Sequence, residues 1–221
     1  MISRRRLGAL TAAATAGLLP GCGGNLLFSQ PPRLYTLTPK STFEPGLPEV
    51  DWQLLVEIPT SSAGLDSSRI ALREAAYQLN YFAERAWTAR APEMVQTLLV
   101  ESFENSDRIV SVGREAVGLR ADYVLKTELR EFQAEYDTTD AAERGPPLIR
   151  VAINAKLVQI PEREIIANAS FSDIEQPAVN EFDAVIAAFD DALGTVMGDI
   201  VEWALVEGQQ NWLQRPARQR R

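Results

Sequence analysis

Ile149-Arg150-Val151-Ala152-Ile153-Asn154-Ala155-Lys156-Leu157, closed by Pro161-Glu162-Arg163 and followed by Ile165-Ile166-Ala167-Asn168-Ala169-Ser170-Phe171, is the stretch that decides the fold. In the first run Ile149, Val151, Ile153, Ala155 and Leu157 alternate against Arg150, Asn154 and Lys156. In the second, Ile165, Ala167, Ala169 and Phe171 recur at every other position. Successive side chains of a strand point to opposite faces, so this period means one buried face and one wet face. Two such runs around a short polar turn predict a β-hairpin.

The same period extends upstream. Tyr123, Leu125, Thr127 and Leu129 alternate with Val124, Lys126, Glu128 and Arg130, which predicts a strand running as far as Tyr136 with one face buried. Asp137 to Pro147, with its aspartates, threonines, glycine and two prolines, reads as a loop. Downstream the period changes. Phe182, Val185, Ile186, Phe189, Leu193, Val196, Met197, Ile200, Val201, Ala204 and Leu205 repeat at three- and four-residue steps, while Asp190, Asp191, Asp199 and Glu202 fall on the other side. Asn180 is the expected N-cap, Glu181 and Asp183 place negative charge in the first turn, and Gly208 is the expected stop.

Nearer the N-terminus, Leu54, Val56 and Ile58 alternate with Gln53 and Glu57 before Pro59 and the Ser61-Ser62-Ala63-Gly64 loop, giving another half-buried strand. Arg69 to Arg73 and Tyr77 to Phe82 read as a pair of short strands, although Ala71 to Ala76 also suits a helix. Met94, Val95, Leu98, Leu99 and Phe103 share one side of a helix over Glu93 to Asn105, with Pro92 in the first turn, where its missing N–H costs nothing. Arg108 to Val112 is a short strand, and Gly113 to Gly118 a turn or brief helix. The expected architecture over residues 52–208 is α+β, an antiparallel sheet with two main helices packed on one face. Residues 209–221 form a basic tail.

Before this domain, Asn25 to Asp51 carries Pro31, Pro32, Pro39, Pro45 and Pro48 and reads as a flexible tether. Within it, Leu34-Tyr35-Thr36-Leu37-Thr38 has the content of a short edge strand. At the very start, Ser3-Arg4-Arg5-Arg6 precedes an apolar run from Leu7 to Leu19 that ends in Leu19-Pro20-Gly21-Cys22. A basic segment, a short apolar run and small residues before a cysteine are the layout of a lipoprotein signal peptide, here residues 1–21. The run is shorter than the roughly twenty residues a membrane-crossing helix needs. Cys22 is then the lipidation site and the new N-terminus of residues 22–51. Several acyl chains, palmitate among them, would hold it on a membrane as one chain does not. Pro20 departs from the usual small residue, and the alternative is an ordinary secreted protein. Gly23, in place of an aspartate, points to the outer membrane. The Ser3-Arg4-Arg5-Arg6-Leu7 stretch fits twin-arginine export as well as an ordinary secretory leader.

Composition removes whole classes of chemistry. The formal net charge of −8 becomes −11 once the leader, with its three arginines and no acids, is gone. Nucleic acid is therefore not an expected partner: the basic residues clustered outside the leader are Arg215, Arg218, Arg220 and Arg221, which read as a solvated end or a contact with anionic lipid or an acidic partner. With no histidine, Ser-His-Asp and Cys-His arrangements and histidine metal sites are excluded, and with Cys22 alone there is no internal disulfide. No glycine-rich phosphate loop or nucleophile elbow is present, and no catalytic, metal or cofactor site is assigned. Glu57, Glu128 and Glu131 are carboxylates on strands, and Asp190-Asp191 a pair on a helix; solvated faces account for both. Asn168-Ala169-Ser170 matches a glycosylation acceptor without meaning behind a bacterial leader. Trp87, Tyr77, Tyr81 and Phe82 read as core aromatics in preference to a lipid-contacting patch.

The lipobox, Leu34-Tyr35-Thr36-Leu37, and the run Arg69-Ile70-Ala71-Leu72-Arg73, Leu79-Asn80-Tyr81-Phe82-Ala83-Glu84-Arg85-Ala86-Trp87 and Ala91-Pro92-Glu93-Met94-Val95 resemble the ABC-type transport auxiliary lipoproteins. These include the PqiC-like partners of MCE-domain lipid transporters. The resemblance implies a non-enzymatic, periplasm-facing lipoprotein of the outer membrane, docked on an MCE-domain protein and through it on a permease and an ATPase. That machine would move phospholipid or another hydrophobic molecule. A homo-oligomer matching MCE rings is implied by analogy. The alternatives are a lipid-binding periplasmic carrier, with an apolar groove between sheet and helices, and a general envelope scaffold.

Overall fold

The computed structural model describes residues 31–114, 121–138, 140 and 144–216. The leader, Cys22 and Arg218, Arg220 and Arg221 lie outside the described residues. In chain order the strands and helices are β1 (Arg33–Tyr35), β2 (Val50–Val56), β3 (Thr60–Ser61), β4 (Arg69–Ala75), β5 (Gln78–Trp87), α1 (Ala91–Asn105), β6 (Ile109–Gly113), β7 (Tyr123–Glu135), β8 (Leu148–Gln159), β9 (Glu164–Glu175) and α2 (Phe182–Gln214).

The class is the expected α+β, and the hairpin is β8 and β9, paired from Ile149↔Glu175 to Gln159↔Glu164. The sheet is mixed. β4–β5, β7–β8 and β8–β9 are antiparallel, whereas β2, β3 and β4 all run parallel to β7, β6 runs parallel to β2 and β1 to β5. Alternation of side chains encodes which face is buried, not strand direction. Parallel neighbours need a long crossover, and the path from β2 to β6 supplies one by way of α1. β7 organises the sheet: one edge holds β8 along its whole length, and the other takes β2, β3 and β4 in succession.

β7 is thirteen residues long, and its buried phase changes partway. Tyr123, Leu125 and Leu129 face the helices, then a register shift between Leu129 and Glu131 puts Phe132 and Ala134 on that face. One extra residue flips the alternation, the effect of a β-bulge. A second shift, between Leu157 and Val158, acts on β9. It turns Ile165 outward, 55% exposed, and packs Ile166 on the core, contrary to the predicted inward face.

α1 begins at Ala91 with Pro92 in its first turn, and Met94, Val95, Leu98, Leu99 and Phe103 are buried as expected. Gln96 is buried too, satisfied by donating to the Val56 carbonyl at 2.9 Å. α2 seals the other half of the layer. Phe189 meets Trp87 and Phe132 with ring centroids 5.2–5.4 Å apart, and each such pair adds about 0.5–1.5 kcal/mol beyond the area it buries.

Both ends of α2 differ from expectation. Its N-cap is Glu181, with no side-chain cap bond. Asn180 instead donates to the Arg144 carbonyl and accepts from the Tyr136 hydroxyl. Gly208 does not stop the helix. A Cβ there would sit 2.5 Å from Trp52 Cζ2, so the glycine is needed for close approach of helix to strand, and α2 continues to Gln214 with Trp212 buried. Arg215 is 8% exposed, stacked over Tyr123 at 4.6 Å and Trp212 at 5.2 Å. It is a core-edge residue, not part of a solvated tail.

The proline-rich segment also departs from its reading as a tether. The compact unit begins at Pro31. β1 is the short edge strand expected within 34–38, and from there the chain crosses both helices as a strap. Asp190 and Glu202 of α2 accept from the Thr38 and Glu44 N–H groups, and Ser102 of α1 accepts from Lys40. Asn105 donates to the Lys40 carbonyl. Leu37 is buried, and Phe43 and Leu47 pack on the core. Prolines remove donors that would need a sheet partner, and the helices' side chains take three of those that remain, the N–H groups of Thr38, Lys40 and Glu44.

Candidate functional site

A concave site forms where β5 leaves regular pairing with β4. Between the pairs Arg69↔Ala86 and Ala71↔Tyr81, β4 has Ile70 alone whereas β5 has Phe82, Ala83, Glu84 and Arg85. The excess length bows β5 outward, and Glu84 takes φ +57°, a left-handed conformation that a non-glycine residue adopts at a cost. The bow opens a cleft of about 920 Å³. Leu72, Leu79, Tyr81 and Phe82 give it apolar walls, and Arg69, Arg85 and Arg144 are among the residues that line it. Tyr81 is pinned by its hydroxyl, which donates to the Gly64 carbonyl at 3.1 Å. A Cβ at Gly64 would meet Leu79 Cδ2, so a side chain there requires Leu79 to shift.

Behind the cleft lies an aromatic cluster. Phe182 packs edge-on against Tyr35 and Phe82, each with centroids 5.0 Å away, and Phe82 meets Tyr136 at 6.4 Å. Burial raises the Tyr136 hydroxyl above its ordinary pKa, an effect opposed by the Arg85 charge. Trp87 is core, as the sequence predicts, and Tyr81 and Phe82 are half-buried at the cleft. Tyr77, expected in the core, stands at the β4–β5 turn 99% exposed, because the turn falls on Ala76-Tyr77.

The carboxylates singled out from the sequence do not assemble. Glu57 is held by Lys126 at 2.6 Å on the face of the sheet away from the helices, and Glu128 by Arg130 at 2.9 Å. Glu131 joins neither pair. Asp190 clamps the strap and Asp191 is exposed. Asn168 and Ser170 are occupied with Asn154, which donates to both. Among the described residues no group of three or more His, Cys, Asp or Glu is placed to hold a metal ion. None of their helices is long and apolar enough to cross a membrane. The layer between sheet and helices is filled by side chains such as Leu125, Ile153, Val196 and Leu205, so no groove of the kind a carrier would need lies there among the described residues.

No periodic pattern announces the cleft. Its one sequence signal is the Glu84-Arg85 pair, which interrupts the apolar spacing of β5 where the bow occurs.

This mixed sheet with its strap and two helices is an architecture that other solved structures share. Protein XCC0632 from Xanthomonas campestris is similar in structure, with a TM-score of 0.75 and 30% identity over 82% of this chain and 99% of that one. A second crystal structure, of an uncharacterised protein, shares the fold at a TM-score of 0.59 and 13% identity, covering 78% of this chain and 97% of the other. An uncharacterised protein of Bradyrhizobium diazoefficiens is 24% identical over 172 residues, which is 78% of this chain but only 44% of that relative. The chain thus spans less than half the length of that relative. The sequence model of the ABC-type transport auxiliary lipoprotein component family matches residues 35–201, and the chain belongs to that family. That family is one of transport auxiliary lipoproteins, which implies association with the cell envelope, and it is not a family of enzymes.

Proposed function

We propose that the protein is an outer-membrane lipoprotein, anchored through acylated Cys22 and facing the periplasm. There it docks an MCE-domain protein and, through it, a permease and ATPase that move phospholipid or another hydrophobic molecule across the envelope. The observation that carries this reading is the family match across residues 35–201 directly downstream of Leu19-Pro20-Gly21-Cys22. Membrane attachment then belongs to the leader cysteine, and the α+β domain is left for partner contact.

Mild crosslinking and affinity capture of the tagged lipoprotein from its own host tests the partnership. Recovery of an MCE-domain protein with its permease is the expected result. Recovery of cell-wall and other envelope proteins alone would replace it with an envelope scaffold. Fractionation of a Cys22→Ala variant tests the anchor separately: retention with membranes, together with intact barrier function, would remove Cys22 from the account.

A further inference from the structure

Acids outnumber basic residues 30 to 22 in this chain. Six described arginines, Arg73, Arg90, Arg108, Arg130, Arg144 and Arg150, accordingly each hold a carboxylate. The other six described arginines hold none among the described residues, and two of these, Arg69 and Arg85, stand at the β4–β5 cleft. Arg69 lies over the Tyr81 ring at 3.6 Å and Arg85 over the Phe182 ring at 4.1 Å, and neither is paired with a carboxylate among the described residues. Arg33 of β1 occupies the register position directly opposite Arg85. Like charges opposite one another on neighbouring strands repel.

Arg85 adds a second, independent observation. Its Nε is buried and has no hydrogen-bond partner among the described residues. A buried donor without an acceptor is costly, and more so on a charged group. Stacking on aromatic rings fixes the guanidinium planes and leaves their N–H edges free, and those edges match the oxygens of a phosphate or carboxylate. Of the acids at the cleft, Glu74 is taken by Arg144 and Glu84 is exposed, held on the strained bow of β5. With Arg69, Arg85 and Arg144 against these two carboxylates, the lining carries a single net positive charge.

We propose that this cleft binds a singly charged phosphate ester, with Arg69 and Arg85 donating to its oxygens and the adjoining wall of Leu72 and Leu79 receiving whatever apolar group the ester carries. The bow of β5 builds the site, and the bound anion offsets the guanidinium charge of Arg85, whose buried Nε is without an acceptor among the described residues, and relieves the repulsion from Arg33. The inference stands on these residues and not on the identity of the transporter, so either can fail alone.

The test is equilibrium binding to the detergent-solubilised full chain, by calorimetry, of two probes: inorganic phosphate and dihexanoyl phosphatidylglycerol. Binding of both with similar affinity identifies a free-phosphate site, and binding of the diacyl probe alone identifies a lipid headgroup. In either case Arg69→Gln with Arg85→Gln should weaken binding at least about tenfold, while Arg108→Gln, on a paired arginine beside β6 at the other end of the strand order, leaves it unchanged. Arg85→Lys keeps the charge but loses the fork, and should fall between. Should the double variant fail to fold, Arg69→Gln alone, at an exposed position, must still weaken binding severalfold. Binding of neither probe, or undiminished binding in a folded Arg69→Gln, Arg85→Gln protein, overturns the proposal.

Discussion

The backbone N–H of Thr38 and its hydroxyl both end on the Asp190 carboxylate, at 2.6 Å and 2.7 Å, one donor to each oxygen. The residues are 152 positions apart, so one side chain of α2 fixes the path of the strap. Hydrogen bonds to a charged acceptor contribute more than neutral ones, and partial exposure trims the gain, so Asp190→Ala should cost about 1–2 kcal/mol. Urea unfolding should show a lower midpoint with an unchanged slope, and hydrogen exchange should rise at the strap. An unaltered midpoint with unaltered exchange would mean that the strap is held by Leu37 and its neighbours alone.

Two glycines of α2 should respond with opposite signs. In a helix interior, Gly→Ala ordinarily stabilises by about 1 kcal/mol. A Cβ added at Gly194 would meet nothing within 4 Å, so Gly194→Ala should show that gain in Tm. At Gly208 the same methyl meets the Trp52 ring, and overpacking of about 1–3 kcal/mol outweighs the propensity. Gly208→Ala should therefore lower Tm and shift the Trp52 fluorescence. A Gly208→Ala protein as stable as Gly194→Ala would show that the ring has room to move.

The same contact shows where the sequence can be read and where it cannot. Period-two and helical spacing locate the β8–β9 hairpin, the buried side of α1 and most of α2, because those signals depend on local burial alone. Gly208 reads as a stop because glycine at a helix end and glycine beneath an indole look alike until Trp52 is brought to it from elsewhere in the chain. The strap escapes for a related reason: prolines and polar residues suit a tether equally well, and only Ser102, Asp190 and Glu202 distinguish the two. Strand direction, the two bulges and the convergence of Arg33, Arg69 and Arg85 arise from pairing between distant segments, which no local period records. The family resemblance is carried most specifically by the Arg69 to Leu99 block, yet nothing in that resemblance indicates that a cleft lies in it.

Asp199 carries a carboxyl raised above its ordinary 3.8, by partial burial first and then by the charges of Glu202 and Asp173, with Lys40 opposing. A raised acid binds its proton more tightly in the folded chain than in the unfolded one. Stability therefore falls as pH rises from about 3.8 through the raised value, and stays lower above it. Asp199→Asn should raise Tm at neutral pH, with the gain fading as the solution is acidified past that window. A Tm difference independent of pH would assign the effect to packing against the strap.

Tyr123 donates through its hydroxyl to Asn211 Oδ1 at 2.7 Å, and the Gly208 carbonyl lies 3.2 Å away. Burial, partly offset by Arg215 and reinforced by Asp122, pushes its pKa from 10.0 up to about 12. The folded chain thus keeps a proton that the unfolded chain gives up, so stability should decline as pH rises from about 10 to about 12 and level off above. Tyr123→Phe should cost about 1–2 kcal/mol at neutral pH, because Asn211 Oδ1, half-buried, loses the nearer of its two donors and keeps only Arg215 Nε at 3.4 Å. It should also abolish the alkaline decline, so that the stability curves of the two proteins converge toward high pH. Parallel curves across that range would show that Tyr123 ionises no differently in the folded and unfolded chains.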